Sequence, residues 1–512
     1  HQSVAILAQE QESRVPERER AMKYKSTRGK VSGLSFEDAV LSGLADDGGL
    51  LIPERLPELT AEELDGWRGL KYADLSYAII RKFVDPAEIP DEDLRPIVDA
   101  SYVVGDDNWR SSEIVPLKTL QSGIEVMELF HGPTFAFKDI ALQFLGNLFS
   151  YVLQKRKQHM VILGATSGDT GGAAIYGVRG KPNIDCVILF PNGRTSKTQE
   201  MQMATVPDAN IHTLALSGNF DDCQDIVKAC FNSPLKQKYA LGAVNSINWA
   251  RILAQIVYYA HVSLRLAPKG SDTKVTFSVP TGNFGDILAG YYAKRMGFPI
   301  DDLIVASNQN DVLTRFFSSG VYHNTGVVPT MSPSMDIAIS SNFERFLYDL
   351  LDEDAPTLAE KMKQLKETKQ MDVSEAKLTQ AKDVFASYCV DEQECAKCIK
   401  DVYDAEGYMM CPHTAVGYGA MLKHMAAKPG SKSPQVVLAT AHYGKFIEEM
   451  AKKLTAEEKL IANAETNMPK KLKDLHGLKN RKIELPGTEE AVANFLDSNF
   501  SASSESCPSQ QA

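Results

Sequence analysis

The sequence predicts an α/β protein with two open, mostly parallel sheets preceded by a small, mainly helical N-terminal domain. Three observations carry this. From about Val115 onward short apolar runs alternate with helical patterns; Gly-rich turns join an apolar run to a helix at two points; and the stretch from Leu34 to Asp99 shows helical patterns broken by Pro.

The elements are justified in chain order. Residues 1–21 carry Glu, Gln and Arg with no apolar core and small-residue cleavage site, so they read as a disordered extension rather than a secretory signal, with Met22 as a candidate start. The N-terminal domain is expected over 22–110, where only Gly49-Leu50-Leu51-Ile52 before Pro53 reads as a strand. Buried strands are expected at Met160–Leu163, Cys186–Phe190, Ile211–Leu216, Val275–Val279 and Gln435–Ala439, each with turn residues nearby. Helices are expected at Ile140–Leu153, Gly172–Gly180, Asp221–Phe231 and Ala250–Leu266. This order assigns 111–155 and 268–490 to a large α/β domain and 156–267 to a small one. The Lys-, Glu- and Ala-rich stretch 355–404 reads as a helical insertion on the surface, and 501–512 as a disordered tail.

A formal net charge of -11 and a pI near 5.5 leave no broad basic surface for nucleic acid, so an anionic ligand must be held locally. The most apolar long stretch, Ile252–Ala267, contains Gln255, His261 and Arg265 and falls short of a membrane span, so no membrane association is expected. Eight scattered cysteines suit a reducing, cytoplasmic setting, and Cys395-x-x-Cys398 has no second pair at metal-ligand spacing, so no metal is expected.

Three polar segments and one lysine point to chemistry. Gly164-Ala165-Thr166-Ser167-Gly168-Asp169-Thr170-Gly171-Gly172 leaves a strand and enters a helix, offering amides and the hydroxyls of Thr166, Ser167 and Thr170 to an anion. It is not a Walker loop, because Asp169 occupies the second glycine position. Thr281-Gly282-Asn283-Phe284-Gly285-Asp286 resembles a phosphate cup, its glycines letting the backbone approach closely. Asn245-Ser246-Ile247-Asn248-Trp249-Ala250-Arg251 opens a helix and presents a guanidinium fork. Lys138, between Phe137 and an apolar helix, is a candidate desolvated amine and so a nucleophile for an aldehyde. Each has an ordinary reading as well: tight βα connections, an Asn or Ser cap beside an exposed arginine, and a lysine snorkelling at a helix start.

Taken together, these segments closely resemble the threonine synthase family of fungal and bacterial type. The resemblance runs from Tyr24-Lys25-Ser26-Thr27-Arg28-Gly29 to about Phe446 and includes Asp47-Gly48-Gly49-Leu50-Leu51-Ile52-Pro53, Glu128-Leu129-Phe130-His131-Gly132-Pro133-Thr134, Ser334-Met335-Asp336-Ile337 and Pro412-His413-Thr414-Ala415-Val416-Gly417. It implies a tryptophan synthase β-like, fold type II architecture with pyridoxal 5′-phosphate between two α/β domains. It implies a Schiff base on Lys138, a cofactor phosphate bound by Gly282, Asn283, Phe284, Gly285 and Asp286, the Thr414 hydroxyl at the pyridine nitrogen and Asp169 near the cofactor O3′. Thr166, Ser167, Thr170, Ser246, Asn248 and Arg251 would form the substrate-anion pocket. The implied reaction converts O-phospho-L-homoserine and water into L-threonine and phosphate by γ-elimination and β-addition, in a monomer or weak homodimer. Two rivals share the scaffold: a phospholyase yielding 2-oxobutyrate, and a non-catalytic homologue. One departure stands out: where the family usually reads Thr-Ala-His-Pro-Ala-Lys-Phe, this chain has Thr440-Ala441-His442-Tyr443-Gly444-Lys445-Phe446.

Overall fold

The computed structural model describes residues 21–105, 108–166, 168–455 and 457–501. Almost all of the expected N-terminal extension and C-terminal tail lies outside these residues, as does Ser167. In the N-terminal region β1 (Tyr24–Ser26) pairs antiparallel with β2 (Leu51–Pro53), accompanied by helices at Phe36–Ser42, Ala61–Trp67, Tyr72–Arg81 and Asp91–Ser101. The chain then forms β3 (Leu117–Thr119), β4 (Glu125–Glu128) and the helix Lys138–Arg156, followed by β5 (Met160–Ala165), β6 (Ile184–Pro191), β7 (Ile211–Leu216) and β8 (Leu241–Gly242). After the helix Trp249–Leu266 come β9 (Val275–Pro280), β10 (Ile300–Ser307), β11 (Val321–His323), β12 (Gln370–Asp372), β13 (Phe385–Cys389), β14 (Gln435–Ala439) and β15 (Ile483–Leu485).

Two sheets organise the core. The larger runs β13-β10-β9-β14-β4-β3 and is parallel except for the β3–β4 pair; the smaller runs β15-β7-β6-β5-β8 and is parallel throughout. Helices cover parallel sheets on both faces, so their strands carry unbroken apolar runs. β6 shows this, with Cys186 to Pro191 buried without interruption. The helix Trp249–Leu266 is buried along most of its length, which its Gln255 and Ser263 tolerate without a membrane. No helix among the described residues is long and apolar enough to cross one.

Two boundaries differ from expectation. The stretch 355–404 is not only a surface insertion: β13 is an edge strand of the large sheet, in register with β10 from Leu303↔Phe385 to Ser307↔Cys389. Its five-residue run Phe385-Ala386-Ser387-Tyr388-Cys389 is hidden in sequence by the charged helices on either side. The large domain also does not extend unbroken to residue 490. β15 joins the small sheet beside β7, and Val492 and Leu496 pack with Leu163, Leu189 and Leu214. A three-residue strand with mostly exposed side chains leaves too short a pattern to read.

The helix that begins at Lys138 crosses the helix Asp169–Val178 at very short range. A Cβ at Gly146 would lie 1.9 Å from the Gly177 carbonyl oxygen, and one at Gly177 would lie 2.6 Å from that of Leu142. Alanine ordinarily favours a helix over glycine by up to about 1 kcal/mol. Here the obstacle is backbone, so overpacking decides the sign. Gly146→Ala is expected to destabilise the protein by about 1–3 kcal/mol, read as a lower denaturant midpoint; an unchanged or raised midpoint contradicts the crossing.

Candidate active site

Lys138 follows a loop that is tied down on both sides. Thr134 donates from its N–H and its hydroxyl to the two oxygens of buried Asp139, at 2.8 and 2.6 Å. Gly132 is required there, because a Cβ would sit 2.4 Å from the Asp139 Cβ. The Thr134 carbonyl accepts from Lys445 at 2.7 Å and Gln202 at 3.1 Å. Phe137 N–H donates to the Thr440 carbonyl and His442 N–H to that of Phe135, which stitches the loop to the segment after β14.

The Lys138 amine is 3.7 Å from Asp169 Oδ2 and 5.3 Å from the centre of the Phe137 ring. Burial pushes its pKa down to about 8; Asp169 resists the shift, while Lys445 and Arg251 reinforce it. The neutral, nucleophilic form is therefore reached at a lower pH than for a lysine in water.

Asp169 opens the helix after β5. Its Oδ1 accepts from Lys445 at 2.8 Å and from Gln199 at 2.9 Å. Burial alone would raise its pKa, but Lys445 and Lys138 hold the carboxyl well below the usual carboxylate range. The Thr166 hydroxyl accepts from the Gly168 and Gly171 amides, both at 3.0 Å, and so braces the turn from within. Thr170 is partly exposed in the first turn. The N-cap residue itself is Gly168, which has no side chain, so among the described residues it is Thr166 that occupies a first-turn amide, that of Gly171.

The turn after β9 is held from outside. The Gly282 carbonyl accepts from Ser340 at 2.7 Å, and a Cβ on Gly282 would lie 2.7 Å from the Ser334 carbonyl oxygen. The Asn283 carbonyl accepts from both the main chain and the side chain of Asn342, at 3.0 Å each. Phe284 adopts φ 61° and buries its ring against Phe343, Phe346 and Phe385. Gly285 then starts the helix Gly285–Met296, which lacks a side-chain cap. Uncapped first-turn amides are anion donors.

Two expected contact residues face elsewhere. The Asp286 carboxylate points into the core, where Tyr258 and Tyr259 donate to one oxygen at 2.5 and 2.8 Å and the other is buried without a partner. Burial pushes its pKa up to about 6. Asn248 is fully buried, donating to the Val40 carbonyl at 2.8 Å and accepting from Ala250 N–H at 3.0 Å, so it is the cap of the helix Trp249–Leu266. That cap aims Arg251. Its guanidinium donates to the Asn245 carbonyl at 2.8 Å, its Nε is buried without a partner, and burial pushes its pKa down to about 10. The Ser246 carbonyl accepts from Asn342 at 3.0 Å, so one asparagine joins the phosphate-cup turn to the Arg251 segment.

Thr414 lies in the first turn of the helix Pro412–Ala427, its hydroxyl 3.1 Å from the Cys411 sulfur, on the wall of a cavity of about 410 Å³ that Arg110, Phe135 and His442 also line. Neighbouring His413 accepts from Ser334 N–H at Nε2, 3.1 Å away, and burial pushes its pKa down to about 3. Its proton therefore sits on Nδ1, which is buried without a partner. His413 lies in the quoted Pro412–Gly417 motif without an assigned role, and Asn342 and Gln199 lie in no quoted motif. The bonds that give all three their place run to partners 30 to 96 positions away, which local spacing does not reveal.

Comparison with known proteins bears on this arrangement. Residues 23–102 match the threonine synthase N terminus, 109–441 the pyridoxal-phosphate dependent enzyme family and 414–496 the threonine synthase C-terminal family. A Pseudomonas aeruginosa threonine synthase is 45% identical over 477 residues, 93% of this chain and 98% of the relative. The crystal structure of threonine synthase from yeast superposes with a TM-score of 0.87 at 42% identity, covering 93% of this chain and 98% of that one. The PLP-bound threonine synthase from Brucella melitensis gives 0.86 at 42% identity, covering 94% and 99%. The chain therefore belongs to the threonine synthase family of fold type II lyases, whose cofactor is pyridoxal 5′-phosphate.

Proposed function

We propose that this protein converts O-phospho-L-homoserine and water into L-threonine and phosphate, in the cytoplasm, as a monomer or weak homodimer. The observation that carries the reading is the largely buried Lys138 amine, its pKa pushed down to about 8, in a site that also holds the uncapped start of the helix Gly285–Met296 and the unpartnered Nε of Arg251. The cofactor has an aldehyde for the amine and a phosphate for uncapped amides, so this donor set fits it. When bound, pyridoxal phosphate supplies an electrophilic carbon for the substrate amine and a conjugated ring that takes up electron density from Cα.

In this reading the amides of Gly282, Asn283, Phe284 and Gly285 hold the cofactor phosphate, with Asp286 anchoring the helix behind them rather than touching it. Thr414 offers the pyridine nitrogen a neutral hydroxyl, which does not keep that nitrogen protonated as a carboxylate would. Arg251, Thr166, Ser167, Thr170 and Ser246 hold the substrate's anionic groups, and Asn248 fixes the helix start that aims Arg251. Lys138, as a free base, removes the Cα proton, takes a proton from Cβ and delivers one to Cγ, which becomes the methyl group as phosphate leaves, and returns a proton to Cα after water adds its hydroxyl at Cβ and gives its proton to the released phosphate.

Purified protein given phosphohomoserine should release threonine and phosphate in equal amounts; 2-oxobutyrate without threonine would mean the phospholyase reaction instead. Lys138→Ala should abolish turnover and leave no cofactor fixed to the chain by borohydride. Arg251→Ala should raise KM by on the order of 30-fold or more, the loss expected when a buried charge partner is truncated; an unchanged KM removes Arg251 from the pocket. In the cofactor-free full chain, reaction of the Lys138 amine with an aldehyde reagent needs the neutral form, so its rate should rise with pH and reach half its maximum near pH 8. A midpoint at 10 or above would show an ordinary, solvated lysine.

A further inference from the structure

We propose that Lys445 is a positioning residue for the reactive lysine: buried between the two sheets, it fixes and balances the Asp169 carboxylate so that one oxygen faces the Lys138 amine. This rests on reading Lys138 as the amine that carries the cofactor. Lys445 lies just after β14 of the large sheet, in the short 3-10 turn Tyr443–Lys445, and its side chain is 0% exposed. Asp169 begins the helix after β5 of the small sheet. The contact between them, 2.8 Å from Nζ to Oδ1, therefore spans the two halves of the molecule. Gln199 donates to the same oxygen at 2.9 Å, and Oδ2 is the oxygen 3.7 Å from Lys138. Lys445 also donates to the Thr134 carbonyl at 2.7 Å, in the loop that delivers Lys138.

A buried ion pair is a weak source of stability, because apolar side chains of similar volume often serve as well. What apolar side chains cannot do is divide a carboxylate between two cations. The charges facing Lys138 are Asp169, Lys445, Arg251 and Asp139, with His413 neutral beside them and Asp139 engaged by Thr134. Without Lys445, Asp169 would be left to Lys138 as its near cation, and the charged form of the nitrogen would persist to higher pH. Without Asp169, the two lysines would repel and that form would be lost at lower pH.

The test is a pH titration of the visible absorption band of the holoenzyme. Lys445→Met should move the midpoint upward by on the order of one pH unit, Asp169→Asn should move it downward, and the double variant should return close to wild type. A purely structural lysine would lower the thermal midpoint of Lys445→Met and leave the spectral midpoint where it was, and that result overturns the proposal. So does an upward shift that Asp169→Asn fails to reverse. Should Lys445→Met not fold, Asp169→Asn alone must still shift downward for the proposal to stand. A wild-type holoenzyme with no visible band, or with the cofactor attached away from Lys138, would instead remove the underlying reading of Lys138.

Discussion

Taking a lysine ammonium out of water is the constraint around which this site is arranged. At 3.7 Å and an effective dielectric constant of about 20, attraction between Lys138 and Asp169 is worth roughly 4 kcal/mol. The amine's pKa nevertheless falls to about 8, so burial together with Lys445 and Arg251 outweighs that attraction. The balance is poised rather than maximised. A stronger pairing with Asp169 would stabilise the ammonium and remove the nucleophile; a weaker one would lower the pKa further and loosen the carboxylate's hold on the amine.

Everything near Lys138 is consistent with holding that balance fixed. In the loop Gly132–Phe137 the Thr134 and Phe137 amides donate to Asp139 and Thr440, and the Thr134 and Phe135 carbonyls accept from Gln202, Lys445 and His442. The Gly146–Gly177 crossing brings the Lys138 helix against the Asp169 helix at backbone distance, so neither terminus drifts freely relative to the other. On the far side Asn342 bonds both Asn283 and Ser246, and Arg345 donates to the Leu51 and Ile247 carbonyls. The N-terminal region, the cup and the Arg251 helix are thereby one hydrogen-bonded body.

Much of the fold was legible because buried parallel strands leave dense signatures: Met160–Leu163, Ile211–Leu216 and Val275–Val279 all fall in strands with almost the expected bounds. β13 and β15 escaped because their runs are short and lie among charged or exposed residues. The site was legible in its turns and not in its side-chain directions. Asp286 and Asn248 lie in the turn and helix start named from sequence, but whether a polar side chain there turns outward or is engaged by its own core depends on Tyr258, Tyr259 and Val40, which local spacing does not reveal. Lys445 was visible as a retained motif residue, yet its partner Asp169 is 276 positions earlier, so only the folded chain brings the two charges together.

The departure at Tyr443-Gly444 bears on the same balance, because this turn carries Lys445. Where the family usually has proline, backbone rigidity is replaced by specific contacts. His442 Nδ1 accepts from Gly444 N–H at 3.1 Å, and the Tyr443 hydroxyl donates to the Asn467 carbonyl at 3.0 Å. The cap requires an unprotonated Nδ1, and burial pushes the His442 pKa down to about 3, so the acceptor persists across the neutral range. A Cβ at residue 444 would meet Leu472, Met468 and the His442 ring at 3.0 to 3.1 Å. Glycine at 444 thus lets the C-terminal helices close over the turn, and tyrosine at 443 ties them to it. Here packing, capping and a side-chain hydrogen bond together hold the direction of Lys445 that a proline would otherwise restrict through its fixed φ.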